Sequence, residues 1–162
     1  MLHEAYLGLG SNLGDRHANI AAGLDYLRGF SSGLDVSSFY ETSPQGFREQ
    51  PPFLNVACRM WTRLSPLELL SRAREAETRA GRVRTIRDGP RTLDVDILLY
   101  GRKVLTVPGL SIPHPRMAER AFVLVPLAEI AAGALHPALM ETVGSLLKRI
   151  DTGGVTRLPS EV

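Results

Sequence analysis

The stretch GPRTLDVDILLY, residues 89–100, decides the fold because it carries a period of two. Leu93, Val95, Ile97 and Leu99 fall on one face of a strand spanning 93–100, and Asp94 and Asp96 fall on the other. The apolar face belongs against a core. By strand rise the two aspartates stand about 7 Å apart at Cα. Aspartate is depleted in strands, so a pair inside an apolar run reads as a site rather than as solubilising polarity. Like charges this close are costly without a cation between them, and magnesium is served by few carboxylates, with water and substrate phosphates filling its other positions.

Working outward, Arg82, Arg84, Arg87 and Arg91 crowd the loop 82–92 just before this strand. Such a local positive field suits a compact polyphosphate as well as a nucleic-acid backbone. Before the loop, Ser65-Pro66-Leu67-Glu68 supplies an N-cap serine, a proline at the first helical position and a capping-box glutamate, which predicts a helix ending at Gly81. Its expected apolar stripe is Leu70, Ala73 and Ala80, with Glu77 on or beside it. After the strand, Gly101-Arg102-Lys103 reads as a hairpin-like turn into a shorter strand near 104–107. Helix is expected after Pro115 and again around 139–150, leaving 151–162 as a mobile tail.

Toward the N-terminus, residues 4–9 predict a strand, and Ile20, Leu24 and Leu27 repeat at helical spacing through Phe30. Strands are expected over 34–41 and 53–62. The second alternates, with Leu54, Val56, Cys58 and Met60 on one face and Phe53, Asn55, Ala57 and Arg59 on the other. Strand, helix, two strands, helix, strand is the order of a two-layer α+β domain, and 162 residues make one such domain. Gly8, Gly10 and Gly14 miss both the GxGxxG order and the P-loop ending. They fit a tight strand-to-helix turn and the close approach of a flat ligand or a neighbouring segment.

Composition bounds the rest. An apolar content of 44% with 22% charged residues is ordinary for a globular chain, and no stretch approaches the roughly 20 apolar residues of a membrane span. The opening MLHEAYLGLGSN has no basic leader and no apolar run, and the single cysteine, Cys58, sits in an apolar strand pattern. A cytoplasmic protein is the expectation. Phe53 and Asn55 share a face, and Phe122 follows Arg120; rings and an amide of this kind can hold a flat heterocycle. His114, between Pro113 and Pro115, reads as a phosphate donor or a turn residue.

GPRTLDVDILLYG, together with LGLGSNLGDR, SSFYETSPQG, PPFLNVA, EAETRAGRVR and IPHPRMAERAFVLVPLAEIA, resembles the 6-hydroxymethyl-7,8-dihydropterin pyrophosphokinases over most of residues 5–131. The resemblance implies a ferredoxin-like, mostly antiparallel sheet with helices packed on it. It also implies transfer of diphosphate from ATP to the pterin hydroxymethyl group, with release of AMP, in folate biosynthesis. By matching position, Asp94 and Asp96 would bind two Mg2+ ions, and Arg82 and Arg91 would stabilise the transferring group. Arg84, His114 and Arg120 would lie on the ATP side, and Glu77 and the backbone near Ile97 would line the adenosine site. Phe53 and Phe122 would stack on the pterin, Asn55 would contact it through its amide, and Thr42 and Gln45, beside Pro44, through backbone. Two departures stand out: Asp88 replaces a tryptophan common in the family, in a loop one residue shorter, and Gly109 replaces an arginine.

The expected partners are therefore ATP and the pterin, with no nucleic acid, no membrane and a monomeric chain. An RNA-binding ferredoxin-like module and a metal-dependent nuclease are the alternatives. The first lacks an aromatic-rich central strand, and its paired aspartates would repel RNA.

Overall fold

The computed structural model describes residues 1–43, 49–81 and 91–160. Strand β1 (His3–Ser11) leads into helix α1 (Arg16–Arg28), where Asp15 accepts the Ala18 N–H at 3.0 Å as N-cap. Then follow β2 (Gly33–Val36), β3 (Tyr40–Thr42), β4 (Phe53–Thr62), α2 (Pro66–Arg79) and β5 (Asp94–Tyr100). Ser65 and Glu68 form the predicted capping box at the start of α2. The chain continues through β6 (Leu105–Val107), β7 (Leu110–Ile112), a 3-10 turn (Met117–Glu119) and α3 (Ala121–Ala131). It closes with β8 (Leu135–His136), β9 (Glu141–Thr142), α4 (Val143–Leu147) and β10 (Val155–Arg157).

The main sheet runs β10-β3-β4-β1-β5, with β2 also on β4, and every described pair is antiparallel. With β2 and β3 taken as one interrupted strand, β1 and β4 occupy the centre, as the ferredoxin-like reading requires. One core joins α1 and α2 to Leu7, Leu9, Leu54, Val56, Cys58, Met60, Val95 and Ile97. A second, on the opposite face, joins α3 and α4 to Tyr6, Ala57, Leu98 and Leu99. Helices thus cover both faces of the sheet.

Several expectations need correction. Leu99 packs in the second core rather than beside Leu93, because register shifts between Tyr6 and Leu7 and leaves Leu98 as an extra residue. Such a bulge reverses the alternation beyond it. The 34–41 strand is two strands: Val36 faces Cys58 and Tyr40 faces Asn55, so four steps on one side meet three on the other. Ser37 fills the irregularity, its Oγ accepting the Ala57 N–H at 2.9 Å. On α2 the buried positions are Leu69, Ala73, Ala76 and Glu77, while Leu70 and Ala80 are only partly covered.

β6 pairs with β7 and not with β5, so Gly101 leads out of the sheet. The hairpin turns instead at Pro108-Gly109, where Gly109 takes φ 81°, a conformation favouring glycine at the third turn position. This gives Gly109 a backbone role of its own. Within 139–150 only Val143–Leu147 is α-helical, and β9 precedes it. Of the stretch expected as a tail, Val155–Arg157 pairs with β3 as an edge strand.

Candidate active site

β1 lies between β4 and β5 in a register that sets Asp94 opposite Gly10 and Gly10 opposite Asn55. One step along, Asp96 faces Gly8 and Gly8 faces Ala57. Directly opposed residues share a face, and strands lie about 4.8 Å apart, so the Cα atoms of Asp94 and Asn55 stand about 10 Å apart across a floor of glycine. A cavity of 410 Å³ opens over this floor. Among its described lining residues are Thr42, Phe53, Asn55, Arg91, Asp94, Asp96, His114, Arg120 and Phe122.

The pterin-side candidates are held by local bonds. Asn55 and Thr42 are both buried, and Asn55 Nδ2 donates to Thr42 Oγ1 at 2.9 Å. The Asn55 Oδ1 points over Gly10, so closely that a Cβ on Gly10 would come within 2.8 Å of it. The Arg91 guanidinium carbon lies 5.7 Å from the centre of the Phe53 ring, and that of Arg120 lies 5.4 Å from the Phe122 ring. Each aromatic is thereby paired with a cation beside the cavity.

On the other side Arg91 Nη1 lies 3.4 Å from Asp94 Oδ2. Burial, and then the neighbouring Asp94 charge, push the Asp96 carboxyl up to about 7, against the pull of Arg120 and Arg74. A divalent cation would remove that penalty. Among the described residues no cluster of three or more His, Cys, Asp or Glu side chains is gathered, and the two aspartates are the carboxylates lining the cavity. That donor set fits magnesium held by two carboxylates on a polyphosphate.

Burial, and then Arg120, draw the His114 imidazole down to about 4, so it is neutral at physiological pH. Its Nδ1 accepts the Arg116 N–H at 3.2 Å, which leaves Nε2 as the donor.

Of the sequence-predicted residues, Glu77 and Ile97 do not line the cavity. Ile97 packs in the first core, and Glu77 Oε2 accepts the Val95 N–H at 2.9 Å. Arg82, Arg84, Pro44 and Gln45 lie outside the described residues, as does Asp88. Arg74 and Arg116 line the cavity although the sequence reading gave them no role. Arg116 is two residues after His114, and Arg74 is one helical turn before Glu77, spacings that could have marked both. Asn12 was also missed; only 1% exposed, it ties two loops beside the cavity.

Comparison with known proteins matches this architecture. The model of the 7,8-dihydro-6-hydroxymethylpterin-pyrophosphokinase family matches residues 6–132. The 2-amino-4-hydroxy-6-hydroxymethyldihydropteridine pyrophosphokinase of Bacillus subtilis is 48% identical over 132 residues, covering 80% of this chain and 79% of that protein. The protein of the same name from Pseudomonas aeruginosa is 40% identical and covers 98% of this chain and 99% of its own length. The Dictyostelium discoideum folic acid synthesis protein FOL1 is 42% identical over 92% of this chain, which spans only 23% of that longer protein. A crystal structure of a Plasmodium falciparum HPPK-DHPS triple mutant shares the fold, with a TM-score of 0.73 at 14% identity over 92% of this chain and 43% of its own. Among the described residues no helix is long and apolar enough to cross a membrane.

Proposed function

The chain belongs to the 7,8-dihydro-6-hydroxymethylpterin-pyrophosphokinase family, and on that premise we propose that it transfers diphosphate from ATP to the hydroxymethyl group of 6-hydroxymethyl-7,8-dihydropterin, releasing AMP, in folate biosynthesis. The observation that carries the reading is the glycine floor of β1, with Asp94 and Asp96 along one side and Asn55 along the other. The two sides have the chemistries of the two substrates.

The pterin would lie over Gly10, between Phe53 and Phe122, with Asn55 Oδ1 accepting from its ring N–H groups and Thr42 contributing backbone contacts. Each buried polar group of such a heterocycle needs a partner, since an unsatisfied one costs about 1–3 kcal/mol. Asn55 is itself oriented by Thr42. The ATP phosphates would run along the Asp94–Asp96 side, where Arg91 and Arg120 offset charge and neutral His114 donates from Nε2. Arg82 and Arg84 would extend that field, while the backbone near Ile97 would bear on the adenosine end, with Glu77 behind that strand on α2 where it accepts the Val95 N–H; Pro44 and Gln45 would border the pterin.

Asp94 and Asp96 would hold two Mg2+ ions, which when bound supply charge neutralisation and acidify the attacking hydroxyl. Transfer of this kind asks the protein mainly for positioning and electrostatics, which two opposed subsites on one rigid sheet provide. We read the enzyme as a cytoplasmic monomer, and a single-chain mass in sedimentation velocity tests the second point.

The deciding experiment is AMP release from ATP and magnesium with and without hydroxymethyldihydropterin, run beside Asp94→Asn and Asp96→Asn. Pterin-dependent AMP that falls by about 100-fold or more in either variant is expected. AMP release that ignores the pterin, or survives both substitutions, refutes the assignment.

A further inference from the structure

Val95 lies between the two aspartates, yet its backbone is engaged on the opposite side. In an antiparallel ladder, alternate residues turn both N–H and C=O away from the partner strand. Among the described residues β5 is the edge of the sheet, and no further strand of them receives those groups at Val95. Helix α2 receives them instead. Glu77 Oε2 accepts the Val95 N–H at 2.9 Å, and Arg74 Nη1 donates to the Val95 carbonyl at 3.2 Å. The same Arg74 nitrogen donates to the same Glu77 oxygen at 3.0 Å, closing a ring around one peptide residue.

This ring is an unusual use of a buried carboxylate. The Glu77 side chain is only 3% exposed. A leucine would fill the same volume on α2 but could not grip Val95.

We propose that Arg74 and Glu77 are positioning residues that replace the missing strand beside Val95 and so fix the spacing and aim of Asp94 and Asp96. The proposal rests on the pyrophosphokinase reading and deepens it. Glu77 then serves the reaction through the strand rather than by touching nucleotide. Bond geometry, more than its charge, is what it supplies, because a glutamine oxygen can accept the same N–H.

The test compares wild type, Glu77→Gln, Glu77→Ala and Arg74→Met by two readouts. Hydrogen exchange of the Val95 amide reports the clamp without reference to activity. In Glu77→Ala it should be at least about tenfold faster, with the amides that face β1 unchanged. AMP release at saturating substrates should show kcat down by about tenfold or more and the magnesium requirement raised, with KM for ATP within about threefold at saturating magnesium. Glu77→Gln should restore both readouts to within about threefold of wild type, and Arg74→Met should lower kcat by about threefold or more.

Unchanged Val95 exchange in Glu77→Ala overturns the proposal. So does a defect confined to KM for ATP, or Glu77→Gln as damaging as Glu77→Ala. Should Glu77→Ala not fold, Glu77→Gln and Arg74→Met decide: wild-type kcat in Arg74→Met overturns it. A wild-type protein without pterin-dependent AMP release would instead refute the pyrophosphokinase reading, and Val95 exchange alone would then judge the clamp.

Discussion

Asn12 and Arg91, 79 residues apart, are joined by two hydrogen bonds: the Arg91 N–H donates to Asn12 Oδ1 at 2.8 Å, and the Asn12 N–H donates to the Arg91 carbonyl at 3.0 Å. Asn12 Nδ2 also donates to Gln50 Oε1 at 2.7 Å and to the Pro51 carbonyl at 3.0 Å. One buried amide therefore ties the entry of β4 to the entry of β5, on either side of the glycine floor. Asn12→Ala should cost about 1–3 kcal/mol, read by urea unfolding, because it removes three side-chain hydrogen bonds made by a buried amide. It should also reduce kcat/KM for both substrates. Asn12→Asp, which keeps the acceptor for Arg91, should fall between.

Gly10→Ala tests the floor. The added methyl meets the end of the Asn55 side chain, which can swing away, so stability should change by less than about 1 kcal/mol. The displaced amide, however, can no longer meet the pterin. KM for the pterin should rise by about tenfold or more while KM for ATP stays within about threefold, measured by AMP release.

Two shifted groups give the metal-free protein opposing pH dependences. Asp96, raised from 3.8 to about 7, is protonated when folded and ionised when unfolded within that window, so its contribution to stability falls as pH rises from about 4 to about 7. His114, lowered from 6.5 to about 4, behaves oppositely: the unfolded chain binds the extra proton, and stability rises between about 4 and 6.5. Thermal melts without divalent ions should therefore find Asp96→Asn more stable than wild type above about pH 7. Magnesium with an ATP analogue should narrow the gap by stabilising wild type alone.

Cys58 is fully buried, and burial drives its thiol up to about 12. It should react with a thiol reagent only as fast as the protein opens. Labelling in native buffer should track the unfolding rate, and urea should accelerate it to the rate of a free thiol.

Much of this was written in local pattern. The alternation of β4, the capping box of α2 and the alternation of β5 as far as Ile97 follow from short-range rules, and they suffice to place Asp94, Asp96 and Asn55 on one face. What escaped was set by partners distant in sequence. The Leu98 bulge depends on pairing with β1, and the break at Ser37 depends on pairing with β4. The rotation of α2 that buries Leu69 is fixed in part by Glu77 reaching Val95. β10 is legible only once β3 is known to be short of a neighbour. The Pro108-Gly109 turn was local and readable, but an earlier glycine at 101 drew the hairpin to the wrong place.

β1 sends Gly8 and Gly10 to the cavity and Leu7 and Leu9 to the core. Because side chains alternate strictly, a slip of one residue would plug the cavity with leucine and leave glycine where the core needs bulk. A misassembled sheet would then fail in solubility and in catalysis together. A cell that clears unstable chains would thereby also clear inactive ones, so the amount of this protein that persists should be a measure of the amount that works.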